Sequence, residues 1–174
     1  MREINMKKVE LIAYISIILM SLVTTGTLIE KYVNRRMVST NTGIPLGSHM
    51  KLEGVNWNTN KYTLMFFLST SCSHCRDSAP FYRQLLGEST IKNAVRFIAV
   101  FPQDLSQSGE YLKSLNIPIT EVKQAQYTEP SVRVSPTLVL TNNKGEVIDS
   151  WMGQLQSKDE THILNRLRTL GTGQ

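Results

Sequence analysis

Two residues separate the only two cysteines of this 174-residue chain, Cys72 and Cys75, and that spacing constrains the fold more than any other feature. A cross-link closing so short a ring removes little chain entropy from the unfolded state, so the pair is poorly placed to be a structural staple. A structural zinc site needs four Cys or His ligands at suitable spacing, and only His49, His74 and His162 accompany the pair. The surroundings instead suit a reactive thiol. Tyr62 to Leu68 is a short apolar, aromatic run of the kind that fills a strand buried on both faces. Cys72 to Leu86 follows as a predicted helix that ends at Gly87, which puts the cysteines at a strand-to-helix junction. Free amide N–H groups and the helix dipole at such an N-terminus favour a thiolate. Cys72 is therefore the expected nucleophile, and Cys75, one turn deeper, the expected resolving thiol. His74 lies between the two sulfurs in sequence. An imidazolium there would stabilise the thiolate further and make the disulfide more oxidising.

The remaining pattern alternates strand and helix. Val95 to Phe101 reads as a second buried strand and Gly109 to Leu115 as a second helix. After a short stretch around Ile119 to Ala125, Thr137 to Thr141 and Glu146 to Trp151 read as strands joined by Asn142-Asn143-Lys144-Gly145. That turn has the Asn and Gly content that positive φ requires. Lys158 to Leu170 closes the chain as an amphipathic helix, with Ile163, Leu164, Leu167 and Leu170 at helical spacing. The order predicts an α/β domain over residues 46–174, a mixed sheet with helices on both faces. Trp57, Trp151, Met65 and Phe66 read as packing residues. A composition of 41% hydrophobic and 19% charged residues suits one globular domain and excludes a disordered or repetitive chain.

These residues resemble the thioredoxin superfamily, and among its branches the membrane-tethered TlpA/ResA-like thiol-disulfide oxidoreductases. The resemblance covers roughly residues 46–170. It rests on Cys72 and Cys75, on Pro80 where thioredoxins kink the active-site helix, on Ser135-Pro136-Thr137 before a strand, on the Asn-Lys-Gly hairpin and on Gly153. It implies a thioredoxin-like fold, a cis Pro136 packed opposite the cysteines, and a Ser135 backbone that pairs with an extended substrate segment. Three positions depart from the pattern: Ser71 replaces the usual Trp, Phe66 a buried Asp, and Ser78 a Glu. No obvious carboxylate then remains to take the proton of Cys75, which leaves water and Asp77 as candidates.

The N-terminal part has a different character. Leu11 to Ile29 is 19 residues without a charge, bounded by Glu10 and Glu30. As a helix it would be about 28 Å long, against roughly 30 Å for a bilayer core. Lys7 and Lys8 precede it as in a signal peptide, but no small-x-small cleavage site closes it. An uncleaved transmembrane anchor is thus the expectation, with residues 1–10 as its flank and residues 30–45 as a polar linker of roughly 20–24 Å if flexible. Three Lys/Arg lie on each side, so charge counting does not orient the span. Gly47-Ser48-His49-Met50 looks like the scar of an expression tag, yet the sequence reads continuously through it.

The net charge is +5, and residues 1–36 hold six Lys/Arg against three Glu. That excess flanks the apolar run, where lipid headgroups are the natural anionic neighbours. No interleaving of aromatic and basic residues points to nucleic acid. Together these features predict an extracytoplasmic, membrane-anchored thiol-disulfide oxidoreductase, without a bound cofactor, that exchanges disulfides with protein substrates and a redox partner. Two alternatives are copper delivery by the two thiolates and His74, which lack an accompanying Met/His cluster, and a redox-inert thioredoxin-like binding module.

Overall fold

A computed structural model describes residues 10–21, 24, 44–127 and 132–172. Residues 10–21 are helical and exposed along their whole length. Among the described residues no helix is long and apolar enough to cross a membrane. Residues 22, 23 and 25–29 of the apolar run, and the linker as far as residue 43, lie outside the described residues, so the predicted span is not seen as one element.

In the following domain five strands form one sheet. They are β1 (Tyr62–Phe67), β2 (Val95–Phe101), β3 (Val122–Gln124), β4 (Thr137–Asn142) and β5 (Val147–Met152), in the spatial order β3-β2-β1-β4-β5. β1, β2 and β3 run parallel, while β4 is antiparallel to both β1 and β5. The helices are α1 (Ser73–Asp77), α2 (Ala79–Gly87), α3 (Ser89–Ala94), α4 (Leu105–Ser114) and α5 (Ser157–Thr172).

Alternate strand residues feed two separate cores, as a period of two requires. Leu64, Phe66, Ala99, Phe101, Leu138 and Leu140 pack with helical residues such as Tyr82, Leu85, Ile91, Leu112, Ile163 and Leu167. Met65, Phe67, Ile98, Val100, Val139 and Val147 point to the other face and pack with Ile44 and Val132. Half-buried Met50, Leu52, Val55, Trp57, Ala125 and Tyr127 complete that second core, and none of its residues comes from an α-helix.

The sequence pattern predicted helices on both faces, and the structure corrects this. The parallel steps β1 to β2 and β2 to β3 move across the sheet in one direction. Right-handed crossovers place their helices on a single face. α5 joins that layer by packing on α3, and Arg168 clasps Glu88 at 2.6 and 2.8 Å. Among the described residues, the opposite face is covered by coil and a 3-10 turn at Trp57–Thr59, which leaves a cavity of about 680 Å³ bordered by His49, Lys51, Trp57, Phe67 and Tyr127.

Several boundaries also move. The helix predicted from Cys72 to Leu86 is broken at Ser78, which ends α1 and begins α2. Pro80 sits in the first turn of α2, where its missing N–H costs nothing. α4 starts at Leu105 rather than Gly109, because Asp104 caps it by accepting from the Gln107 N–H at 2.9 Å. α3 had no sequence signature, since Ile91 is its one buried residue. The tag-like segment pairs with the β4–β5 hairpin: Gly47 N donates to Val147 O and Val147 N to Ser48 O, each at 2.8 Å.

Candidate active site

β1 ends at Phe67, and residues 68–71 carry the chain to the N-cap of α1, which is Cys72. Its backbone is extended (φ −86°, ψ 112°), and its Sγ accepts a hydrogen bond from the Cys75 N–H at 3.2 Å. The sulfur therefore occupies the place of a capping oxygen, where free helical N–H groups meet negative charge. On its other side the Cys72 thiol donates to the carbonyl of Ser135 at 3.3 Å. The Ser135–Pro136 peptide is cis. The chain thus brings four predicted site residues, Cys72, Cys75, Ser135 and Pro136, to one place although 63 positions separate Cys72 from Ser135.

The two thiols have different environments. Cys72 is half-buried, whereas Cys75 is 1% exposed among the helix-side core residues. Burial, then the neighbouring Cys72 sulfur, pushes the Cys75 thiol up to about 12. Cys75 therefore stays protonated at neutral pH.

His74 is not drawn into this arrangement. Its side chain is 56% exposed and its Nδ1 lies 3.8 Å from an equally exposed Asp77 carboxylate. A contact of that length at the surface contributes roughly 0–1 kcal/mol.

Three tyrosines that the sequence reading did not single out surround the pair. Tyr82 is fully buried and stacks edge-on against Phe66 at 5.3 Å. Its hydroxyl faces Ser78 without meeting hydrogen-bond geometry. The Tyr111 hydroxyl is buried and unpartnered too. Burial, and then the two cysteines, push that phenol up to about 12. Tyr127 approaches from the coil side, and its hydroxyl bonds both Leu68 O and Val100 O, the latter at 2.9 Å. It ties the ends of β1 and β2 together directly beneath the cysteine loop. Their spacing in sequence carries no signal, because each arrives from a different element.

No family model matches the sequence, and no curated relative matches it. Solved structures do. A putative thiol:disulfide interchange protein DsbE from Chlorobium tepidum superposes with a TM-score of 0.55 at 17% identity, covering 76% of this chain and 99% of that one. The domain has the thioredoxin-like fold. A thiol:disulfide interchange protein from a Bacteroides species gives a TM-score of 0.53 at 15% identity, over 78% of this chain and 92% of its own. The thioredoxin domain of a Bacteroides vulgatus thiol-disulfide oxidoreductase gives 0.52 at 16%, over 74% and 98%. The thioredoxin-like domain of this chain keeps the sheet and helix layer of these oxidoreductases at identities that carry fold alone.

Proposed function

We propose that the chain is a thiol-disulfide oxidoreductase that exchanges disulfides with protein thiols through Cys72 and Cys75. The observation that carries this reading is the asymmetry of the pair: a reachable sulfur at a helix N-cap, 3.2 Å from an N–H donor, beside a sealed and protonated partner. Cys72 as thiolate attacks a partner disulfide; the partner's S–S bond breaks and one partner thiolate leaves, taking up a proton. Cys75 then gives up its proton and attacks the Cys72 sulfur of the mixed disulfide, which releases the second partner thiol. The partner disulfide gains two electrons and the cysteine pair loses them, and the reverse sequence oxidises a partner dithiol. Ser135, whose carbonyl lies at the Cys72 sulfur, and Pro136 provide the surface against which an extended partner segment docks.

His74, exposed beside the Asp77 carboxylate at 3.8 Å, is assigned at most a minor tuning role. With a helix N-cap and this modest contribution, the couple is expected between about −270 mV, typical of thioredoxin, and about −120 mV, typical of the strongest oxidases. The apolar run of residues 11–29 serves as a membrane anchor in this reading, with the domain outside the cytoplasm, where protein disulfides are formed and edited.

Cys75→Ser is expected to trap mixed disulfides with partner proteins, and Cys72→Ser to trap few; the reverse pattern would exchange the two roles. Equal and negligible trapping by both variants would remove the enzymatic reading in favour of a redox-inert binding module.

A further inference from the structure

The loop that delivers Cys72 is engaged by a side chain from a distant part of the chain. Gln103 follows the end of β2, and its amide engages the loop with both ends. Its Nε2 donates to Ser69 Oγ at 3.0 Å, and its Oε1 accepts the Thr70 N–H at 3.4 Å. Ser69 Oγ also accepts the Ser71 N–H at 3.4 Å and lies 3.0 Å from Ser71 Oγ. With its lone pairs committed to Gln103 and to Ser71 N–H, the single Ser69 proton goes to the Ser71 hydroxyl. The Ser69 carbonyl in turn accepts the Cys72 N–H at 3.1 Å. Among the described residues, loop residues 69, 70, 71 and 72 are thus joined into one network that Gln103, 33 positions from Thr70, enters from outside the loop.

We propose that Gln103 is a positioning residue of the redox pair, clamping residues 69–71 so that the Cys72 sulfur stays between the Cys75 N–H and the Ser135 carbonyl when no disulfide holds it there. The inference rests on the redox reading of Cys72 and Cys75. In the disulfide form the covalent bond itself fixes the Cys72 sulfur. In the dithiol form the loop and two hydrogen bonds, from the Cys75 N–H and to the Ser135 carbonyl, do so. The clamp and the disulfide hold the loop in the same place, so a loop already clamped loses less conformational freedom when the disulfide forms; the clamp therefore favours the disulfide, and its loss shifts the pair toward the dithiol.

The test is equilibration of the purified protein with glutathione redox buffers. In that reaction the two cysteine thiols and one glutathione disulfide give one protein disulfide and two glutathione thiols, so electrons and protons balance. Gln103→Leu removes both amide bonds at similar volume, and Ser69→Ala removes the same link from the loop side. Each is expected to lower the oxidised-to-reduced ratio at fixed glutathione about threefold to tenfold, the scale of one neutral hydrogen bond. The double variant should fall short of the product of the single effects, because both changes cut the shared Gln103–Ser69 bond. A ratio within twofold of wild type in both variants would overturn the clamp, as would effects that multiply in the double variant. A loss of thermal stability with an unchanged ratio would show a purely structural role and would overturn it equally. The glutathione equilibrium reads the cysteine pair alone. If wild-type protein equilibrates yet trapping with Cys75→Ser finds no partner proteins, the protein-substrate reading falls while the clamp stands.

Discussion

The two faces of the sheet are built from adjacent residues of the same strands and end up under different cover. Phe66 and Met65 are neighbours in β1, and both are fully buried. Phe66 lies under a layer of five helices and against Tyr82. Met65 lies under coil with a cavity close by. The helix layer keeps water from Cys75 and so gives the pair its asymmetry. The coil layer contributes Tyr127, which braces the strand ends. Chemical differentiation and mechanical support of one site thus come from opposite sides of one strand.

The largest expected effect tests this contrast directly. Phe66→Ala should cost about 3–5 kcal/mol in urea unfolding of the reduced protein, because the helices around it cannot collapse into the void. Met65→Ala should cost about 2 kcal/mol, the low end for such a truncation, since coil beside an existing cavity relaxes. Equal costs would break the contrast between the faces.

The second prediction concerns the seal over Cys75. Alkylation of the native reduced protein at pH 8 should place one adduct on Cys72, with Cys75 modified only after denaturation, as read by peptide mass spectrometry. The linkage has a definite sign. The folded Cys75 thiol sits above its unfolded value of 9.0, at about 12, so the native state holds its proton more tightly. Its contribution to stability is present below about pH 9 and is lost as pH rises toward 12. Unfolding of wild type and Cys75→Ser across that range should show the alkaline loss in wild type alone.

On the coil face, Gly145 tests how firmly the cover is fixed. Its φ is +76°, and an added Cβ would lie 2.9 Å from the Trp57 ring. Gly145→Ala should cost at least the roughly 1–2 kcal/mol of a left-handed residue with a side chain. A smaller thermal shift would mean that Trp57 moves aside freely.

The smallest effect belongs to a buried charge on the helix side. Asp149 is 1% exposed, and burial raises its carboxyl above the ordinary value despite Arg166 at 3.6 Å. A raised carboxyl costs stability as pH climbs above about 4, because the native state must give up a proton it prefers to keep. Asp149→Asn should therefore gain on wild type between pH 4 and 7 and match it more closely below. A difference that does not vary with pH would assign the effect to packing instead.

The strands and the cysteine pair were legible because each is written in contiguous residues. β2 matched its predicted bounds from Val95 to Phe101, and the Ser135-Pro136 signal led to a cis peptide beside Cys72. α3 was not legible: with Ile91 as its one buried residue it lacks an amphipathic stripe and is held by its contact with α5. The single-sided helix layer follows from strand order, which local periodicity does not encode. Gln103, Tyr82 and Tyr127 were missed for a related reason. Each is an ordinary polar or aromatic residue until the fold sets it against the cysteine site, Gln103 and Tyr127 from tens of positions away.

The edges of this sheet bear on how the domain behaves in crowded solution. β3, at one end, has only three residues and a Lys123 side chain turned to Gly54 O at 3.0 Å. β5, at the other, has the start of its ladder already occupied by Gly47 and Ser48. Among the described residues, the shortness of β3 and the pairing at Val147 shorten the row of N–H and C=O groups on which another copy could grow a cross-β array. The short β3 and the capped start of β5 thereby limit edge-to-edge pairing between copies of this domain.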